Sequence, residues 1–524
     1  MTERIMIRKS TALLFFLFLF QTMLARQNSI PVLAGNDDGD FKVSVMQGYQ
    51  TTGCGNSADP LLRIDVLIGE NPVVLTKIRA TLKGRTAANV RRIGVYLTEG
   101  TEFFAEKAVK VAEVSRMSSE LKIPVKLKLD KNVHLWLTAC VKDNATLADS
   151  IDAALTGIDY RSEGRKKTYD ATTVGDPAGA ARIFATQSIV FAPTEDNCRF
   201  YRIPALMLDK EGNLVALADR RYQSNADLGN HRIDVTAKRS LDGGRTWSRQ
   251  YVVAEGDGTN KVTFGYGDAS LARTKSGRLI CLMATGANNF FSAEGIKWVT
   301  MTTSDDNGMT WSRPSLITDN AFGFQSVFVS SGKGLTTKDG TILFTTNIIK
   351  GGQLDCHILR SKDEGQTWEL LPEVAFAKAD ESKMEQLSNG QIFLSVRRQG
   401  DRGFNVAANA DGTGWGTSWT NGQISGNACN ADVLCYGLSA DGKNDILIHS
   451  YVKSPYRENL TLAISRDSGK TWKDFLNIQK GGAAYSTMQL LPNGDIAVFY
   501  EDESYSAGNG YAQTFVVVTK DQIK

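Results

Sequence analysis

The sequence predicts an all-β protein, a six-bladed β-propeller over residues 186–524 preceded by a β-sandwich over residues 27–180. Three observations predict it. The first region alternates apolar and polar residues in short runs. A strand–turn–strand unit centred on glycine recurs six times in the second region, and an Asp-containing turn recurs between those units.

In the first region the alternating runs are Phe41–Val45, Val73–Ala80, Val125–Leu129 and Val133–Val141, with Trp136 inside the last. Period-two runs interrupted by Gly, Asn and Asp read as half-buried strands of a sandwich. The stretch Ser162–Ala181 is richer in Gly, Lys and Thr and reads as the boundary. This domain is either a structural spacer or a carbohydrate-binding module, and both readings stay open on the residues alone.

In the second region the repeated hairpins centre on Gly212, Gly277, Gly340, Gly390, Gly442 and Gly494. Asn-Gly and Asp-Gly pairs between strands are hairpin signals, because tight turns need positive φ. The glycines are spaced by 65, 63, 50, 52 and 52 residues, a period that strands alone fill by forming propeller blades. A second repeat agrees with that count. Ser240–Trp247 recurs at Ser304–Trp311, Ser361–Trp368 and Ser465–Trp472, with a worn copy at Asn409–Trp415. Each copy falls after the third strand of its blade. Its Asp accepts backbone N–H bonds, its Gly takes the strained position and its Trp packs into the blade. The Asp and Ser of this motif resemble catalytic residues, but an enzyme needs one site and not four. The motif reads as structural.

Composition narrows the partners. The net charge is +3 with mixed signs along the chain, which argues against a nucleic-acid partner, and there is no long basic amphipathic stretch for a membrane surface. At the N-terminus Arg4, Arg8 and Lys9 precede the apolar run Ala12–Phe20, with Ala25 as a small residue for cleavage. This is the layout of a secretory signal peptide over residues 1–25, too short for a membrane span, and it predicts an exported protein: periplasmic, cell-surface or secreted. The absence of a cysteine soon after the run argues against a lipid anchor, and no later apolar segment reaches membrane length. Seven scattered cysteines leave at least one unpaired, and Cys429 with Cys435 is the only candidate for a local bridge. No Cys/His pair has zinc spacing and the four His are far apart, so neither a metal nor another cofactor is expected.

Topology then locates the chemistry. In an up-and-down blade the first and third turns share one face, so residues well before or after each glycine gather on the other. Arg202 lies 10 residues before Gly212, Glu381 9 before Gly390 and Tyr485 9 before Gly494. Arg221 lies 9 after Gly212, Arg397 7 after Gly390 and Arg457 15 after Gly442. Singly, an arginine at a strand end is a solvated rim charge and a tyrosine in a β-protein belongs to the core. Their coincidence on one face is what carries weight. Arginines converging from three blades would clamp a carboxylate with a bidentate fork that lysine lacks.

With Tyr201–Pro204 reading Tyr-Arg-Ile-Pro, four Asp boxes and these arginine spacings, residues 186–524 resemble the catalytic propeller of bacterial exo-α-sialidases, the neuraminidases of glycoside hydrolase family 33. The region from Gln27 to about residue 180 resembles the jelly-roll domain that often precedes such propellers. The resemblance implies that Arg202, Arg397 and Arg457 hold the sialic acid carboxylate and that Arg221 lies beside the acid/base Asp227. It also implies that Glu381 pairs with the nucleophile Tyr485. Glu385 rivals Glu381 but stands 12 rather than 16 residues before Arg397. Arg220 and Arg398 rival their neighbours, yet alternation points them away. The implied substrates are sialylated glycoproteins, glycolipids and oligosaccharides, cleaved with retention. A non-catalytic lectin would need the arginines but not Asp227, Glu381 and Tyr485 together, whereas a trans-sialidase would share all of them. A purely structural scaffold would leave the polar face unexplained.

Overall fold

Alternation in the first region becomes two facing sheets. The computed structural model describes residues 32–34, 39–317, 323–398, 400–504 and 510–523; the leader expected at residues 1–25 lies outside them. In Phe41–Met46 every second side chain is buried, and the same pattern runs through Glu120–Leu129. One sheet orders Val32–Ala34, Phe41–Met46, Asp59–Ile68, Val133–Val141, Val90–Thr98 and Val109–Val114; the other orders Arg165–Asp170, Ala153–Ser162, Val73–Leu82 and Glu120–Leu129. Val43, Ile64 and Leu135 from the first meet Ile78, Ile123 and Ile158 from the second in one apolar core. Burying these side chains is the main force holding the sheets together.

The second region folds into propeller-like, mainly antiparallel sheets in which strands successive in the chain are mostly neighbours. Phe200–Leu208, Leu214–Arg221, Ile233–Ser240 and Tyr251–Ala254 form one; Ser382–Gln386, Ile392–Val396, Gly400–Ala407 and Trp419–Gly426 form another. The strand Lys473–Leu490 serves two neighbours: its first half pairs with Glu458–Ser465 and its second with Ile496–Asp502. Thr186–Phe191, the first strand of the region, pairs with Ala512–Val518, the last. The two ends of the chain's second region are thereby sewn into one sheet. First strands pack on one another, Phe200–Leu208 against both Tyr266–Arg273 and the long strand Lys473–Leu490.

The six glycines all sit at positive φ in the turn after the first strand, from 69° at Gly442 to 101° at Gly340. The turns are wider than a two-residue hairpin. Asp209 N–H donates to Asn213 O at 2.9 Å and Gly212 N–H to Asp209 O at 3.1 Å, a longer loop with glycine at its left-handed position.

The Asp boxes tie each sheet to the one before it. Their glycines have φ of 87°, 81°, 86° and 87° at Gly244, Gly308, Gly365 and Gly469. A Cβ on Gly308 would stand 3.1 Å from Val215, on Gly365 2.6 Å from Ile280 and on Gly469 2.4 Å from Phe393. On Gly244 it would stand 2.1 Å from Phe515 in the last strand. Only glycine satisfies both the left-handed backbone and the close approach.

The candidate local bridge does not form. Cys429 and Cys435 are both free, as are the other five cysteines. Asp432–Leu438 is an extended strand, and at ~3.3 Å per residue it carries the two thiols far beyond disulfide reach. Cys429 packs beside Tyr485, whereas Cys435 joins Val433 and Trp472. Among the described residues no helix is long and apolar enough to cross a membrane.

Candidate active site

Strand pairing puts the site at the end of the sheets away from the glycine turns. Leu214, beside the first turn, pairs with Ser240 of the Asp box, while Arg221 at the far end pairs with Phe200 and Ile233. At that far end three inner strands each carry one extra residue. The register shifts between Arg202 and Ala205, between Gly267 and Ser270, and between Ala483 and Ser486. Ile203 and Asp268 within these bulges have φ of 62° and 55°, strained for residues with a Cβ. Bulges re-aim side chains and free backbone N–H groups. Here the N–H groups of Ile203 and Tyr485 both donate to Glu501, at 2.8 and 3.1 Å.

Tyr485 is the centre. Its hydroxyl donates to Glu381 Oε2 at 2.5 Å and accepts from Arg397 Nη1 at 2.8 Å. The guanidinium carbons of Arg202, Arg397 and Arg457 lie 5.4, 5.8 and 5.4 Å from its ring centroid. The three arginines expected from three different sheets therefore surround one phenol. Burial pushes the Tyr485 hydroxyl well above the usual phenol range; Arg397 and Arg457 pull it down and Glu381 opposes them. The tyrosine rests neutral.

The arginines differ in what already holds them. Arg202 makes a bidentate pair with Glu501, Nε to Oε1 at 2.6 Å and Nη2 to Oε2 at 3.2 Å. Arg397 pairs with Glu381 and lies 3.4 Å from Asp380. Among the described residues Arg457 stacks near the Tyr485 ring without a carboxylate partner. Arg457 is the arginine of the three left for an incoming anion.

Arg221, 1% exposed, binds Asp219 Oδ2 at 2.8 Å and Asp227 Oδ1 at 2.8 Å. Asp227 stands on the loop after Leu214–Arg221 with its side chain 61% exposed. Its surroundings oppose ionisation, but Arg221 and Arg202 outweigh that effect and hold the carboxyl below the ordinary range. Asp268, on the bulged strand Tyr266–Arg273, has its carboxyl raised well above the ordinary range by burial and by the charges of Asp219, Asp227 and Glu381. The two carboxyls have opposed proton affinities.

The rivals separate by geometry. Glu385 pairs with Lys333 at 2.7 Å, below the site. Arg220 donates to Asp196 O at 2.6 Å and Arg398 lies 5.8 Å from the Phe376 ring. Glu501, Asp219 and Asp268 were not singled out from the sequence, although the same offsets apply to them. Glu501 and Asp219 lie 7 residues after Gly494 and Gly212, and Asp268 lies 9 before Gly277. Among the described residues no group of three or more His, Cys, Asp or Glu is arranged to hold a metal.

Residues 212–498 match the model of a BNR repeat-like domain. A sialidase of Bacteroides fragilis strain YCH46 is 26% identical over 425 residues, 75% of this chain and 76% of the relative. A sialidase of Micromonospora viridifaciens is 29% identical over 324 residues, 57% of this chain and half of that protein. Among solved structures, the Hadza microbial sialidase Hz136 superposes with a TM-score of 0.67 at 19% identity, covering 91% of this chain and 99% of that one. The intramolecular trans-sialidase of Ruminococcus gnavus superposes with a TM-score of 0.52 at 16% identity, covering 64% of this chain and 98% of its own. At these identities the structures speak for the fold.

Proposed function

This chain belongs to the BNR repeat-like domain family and is a glycoside hydrolase of the bacterial sialidase type, and from that premise we propose that it is an exo-α-sialidase working by double displacement on Tyr485. Its substrates are terminal α-linked sialic acids on glycoproteins, glycolipids and oligosaccharides. The observation that carries the reading is the Tyr485 hydroxyl held between Glu381 and Arg397, ringed by three arginines.

Sialic acid bears its carboxylate on the anomeric carbon. An anionic nucleophile would be repelled by it; a neutral phenol, deprotonated as it attacks, is not, and sialidases are the known glycosidases with a tyrosine nucleophile. Arg202, Arg397 and Arg457 seat the substrate carboxylate. Glu381 takes the Tyr485 proton as the phenolic oxygen bonds the anomeric carbon. The glycosidic C–O bond breaks as Asp227 protonates the leaving oxygen. Water, deprotonated by Asp227, then attacks the anomeric carbon and the tyrosine recovers its proton from Glu381. Two inversions give retention. The free-site preference of Asp227 for its ionised form fits this sequence, since a bound substrate carboxylate offsets the arginine field and raises the proton affinity that an acid requires.

The proposal extends to architecture and location: a six-bladed propeller at 186–524, a jelly-roll sandwich at 27–180 and export through the leader at 1–25. Release of free sialic acid from a 4-methylumbelliferyl α-sialoside, followed by NMR of the product, tests the activity. The α-anomer of free sialic acid should appear first. No release, an anhydro product or transfer to an added glycan would overturn the hydrolytic reading.

A further inference from the structure

On the strand Ser382–Gln386 and the residue before it, alternation sends Glu381, Lys383 and Glu385 toward the middle of the ring. Glu381 reaches the site and Lys383 lies one step beneath it, 1% exposed. Lys383 Nζ donates to Asn430 Oδ1 at 2.7 Å. Asn430 Nδ2 donates to Glu381 Oε1 at 3.0 Å and to Ser331 Oγ at 2.8 Å, and Ser331 Oγ donates to Glu381 Oε1 at 3.1 Å. The carboxamide has unlike ends. An ammonium can only donate, so the amide oxygen must face Lys383 and the NH₂ must face Glu381. With Oε1 engaged by Asn430 and Ser331, Oε2 is the oxygen presented to Tyr485 and Arg397.

A second buried lysine shows that Lys383 is unusual. Lys333 lies 2.7 Å from Glu385 and 3.3 Å from Asp432. Burial opposes its charge, but Asp432 and Glu385 outweigh burial and hold its amine above the ordinary value. Among the described residues Lys383 has no carboxylate within ion-pair distance, and burial pushes its amine down to about 8 although Asp432 and Glu381 act the other way. An apolar side chain of similar length would sit there at lower cost. The backbone makes room for it too: Gly332 has φ of 105°, and a Cβ there would stand 3.1 Å from Lys383 Cε.

We propose that Lys383 is a positioning residue for the Tyr485–Glu381 couple: through Asn430 it fixes which Glu381 oxygen faces Tyr485 and receives its proton. The inference rests on the tyrosine-nucleophile reading above. The groups facing Glu381 and Lys383 are the cations Arg397, Arg402 and Lys333, the carboxyls Asp268, Asp380 and Asp432, and Tyr485 and Cys429. The cations and Tyr485 remain in a Lys383 variant, so the shift below reports Lys383.

The test is Lys383→Met, Asn430→Asp and the double variant, assayed on the fluorogenic α-sialoside across pH. Lys383→Met should lower kcat about tenfold or more with KM little changed, because the arginines that seat the substrate are untouched. Losing a buried cation beside the couple should move the acid limb of the kcat/KM profile up by about one pH unit. Asn430→Asp sets a second carboxyl against Glu381 and should move the limb the same way, and the double variant should lose less than the two losses combined. A purely structural role would lower the melting temperature and leave the acid limb in place. Folded variants with the parent kcat and acid limb overturn the inference. If Lys383→Met is insoluble, the limb of Asn430→Asp decides alone. An active Tyr485→Phe enzyme would overturn the nucleophile reading instead, whatever Lys383 does.

Discussion

Both ends of the propeller-like sheets present carboxylates, held in opposite ways. At the glycine-turn end, Asp242, Asp306, Asp363 and Asp467 each accept the N–H of a threonine four residues on, at 2.9 Å in all four copies. Burial works against these charges in all four boxes and is the largest single effect in three, the hydrogen bonds together outweigh it, and all four carboxyls fall below their ordinary range. At the other end Asp219 and Asp268 are pushed up, by burial first. Arg221 meets Asp219 from two residues away, but the other partners are distant in sequence: Asp268 N–H donates to Asp219 Oδ1 at 3.1 Å from 49 residues away, and Arg202 meets Glu501 across 299 residues. The same residue types repeat where the need is local and occur once where the fold must complete them. Local satisfaction makes a staple; partners brought from afar can be arranged around a substrate.

The contrast breaks most sharply at Tyr485. Tyr485→Phe removes one oxygen and leaves the arginines in place. Turnover of the α-sialoside should fall by about 10³-fold or more while sialic acid still binds, the pattern expected when a group acts in the chemical step. Near-normal turnover would return Tyr485 to the core. Asp227 sharpens the contrast from within the site. Asp227→Ala should cut kcat on natural α-sialosides by about 10²-fold, within the usual range for a lost general acid. Activated aryl sialosides, whose leaving groups need little protonation, should suffer much less. Equal losses on both substrates would remove Asp227 from the acid role.

How far the sequence reveals each end follows from the same distinction. The Asp boxes are legible because every bond they make closes within a few residues, as in Ser240–Thr246, where Gly244 N–H meets Ser240 Oγ at 2.8 Å. The site residues were legible as positions, since offsets from the glycines mark the far end of each sheet. The pairing was not. Glu501 and Asp219 share the offset of Arg397, but nothing local distinguishes a carboxylate that orients an arginine from one on a rim. The bulges were hidden as well: Ile203 adopts a left-handed backbone with no glycine to announce it. Cys429 and Cys435 show the reverse case, where closeness in sequence suggests contact and an extended strand prevents it.

The smallest expected effect lies at the Asp boxes. Asp306 holds Thr310 N–H at 2.9 Å and Thr310 Oγ1 at 2.6 Å, and accepts from Ser304 Oγ at 2.8 Å. The turn is solvent-facing, so water can replace part of what Asp306→Ala removes, and the expected cost is about 1–2 kcal/mol. In a protein of this size that lowers the melting temperature by roughly 1–2 °C. Catalysis should be unchanged, because the box lies at the glycine-turn end of its sheet, whereas Arg221 and Asp227 lie at the opposite end of theirs. Thermal melting followed by fluorescence, with kcat measured well below the transition, separates the two quantities. A loss of kcat at an unchanged melting temperature would mean that a repeated aspartate reaches the chemistry, and the division between stapling end and reacting end would have to be abandoned.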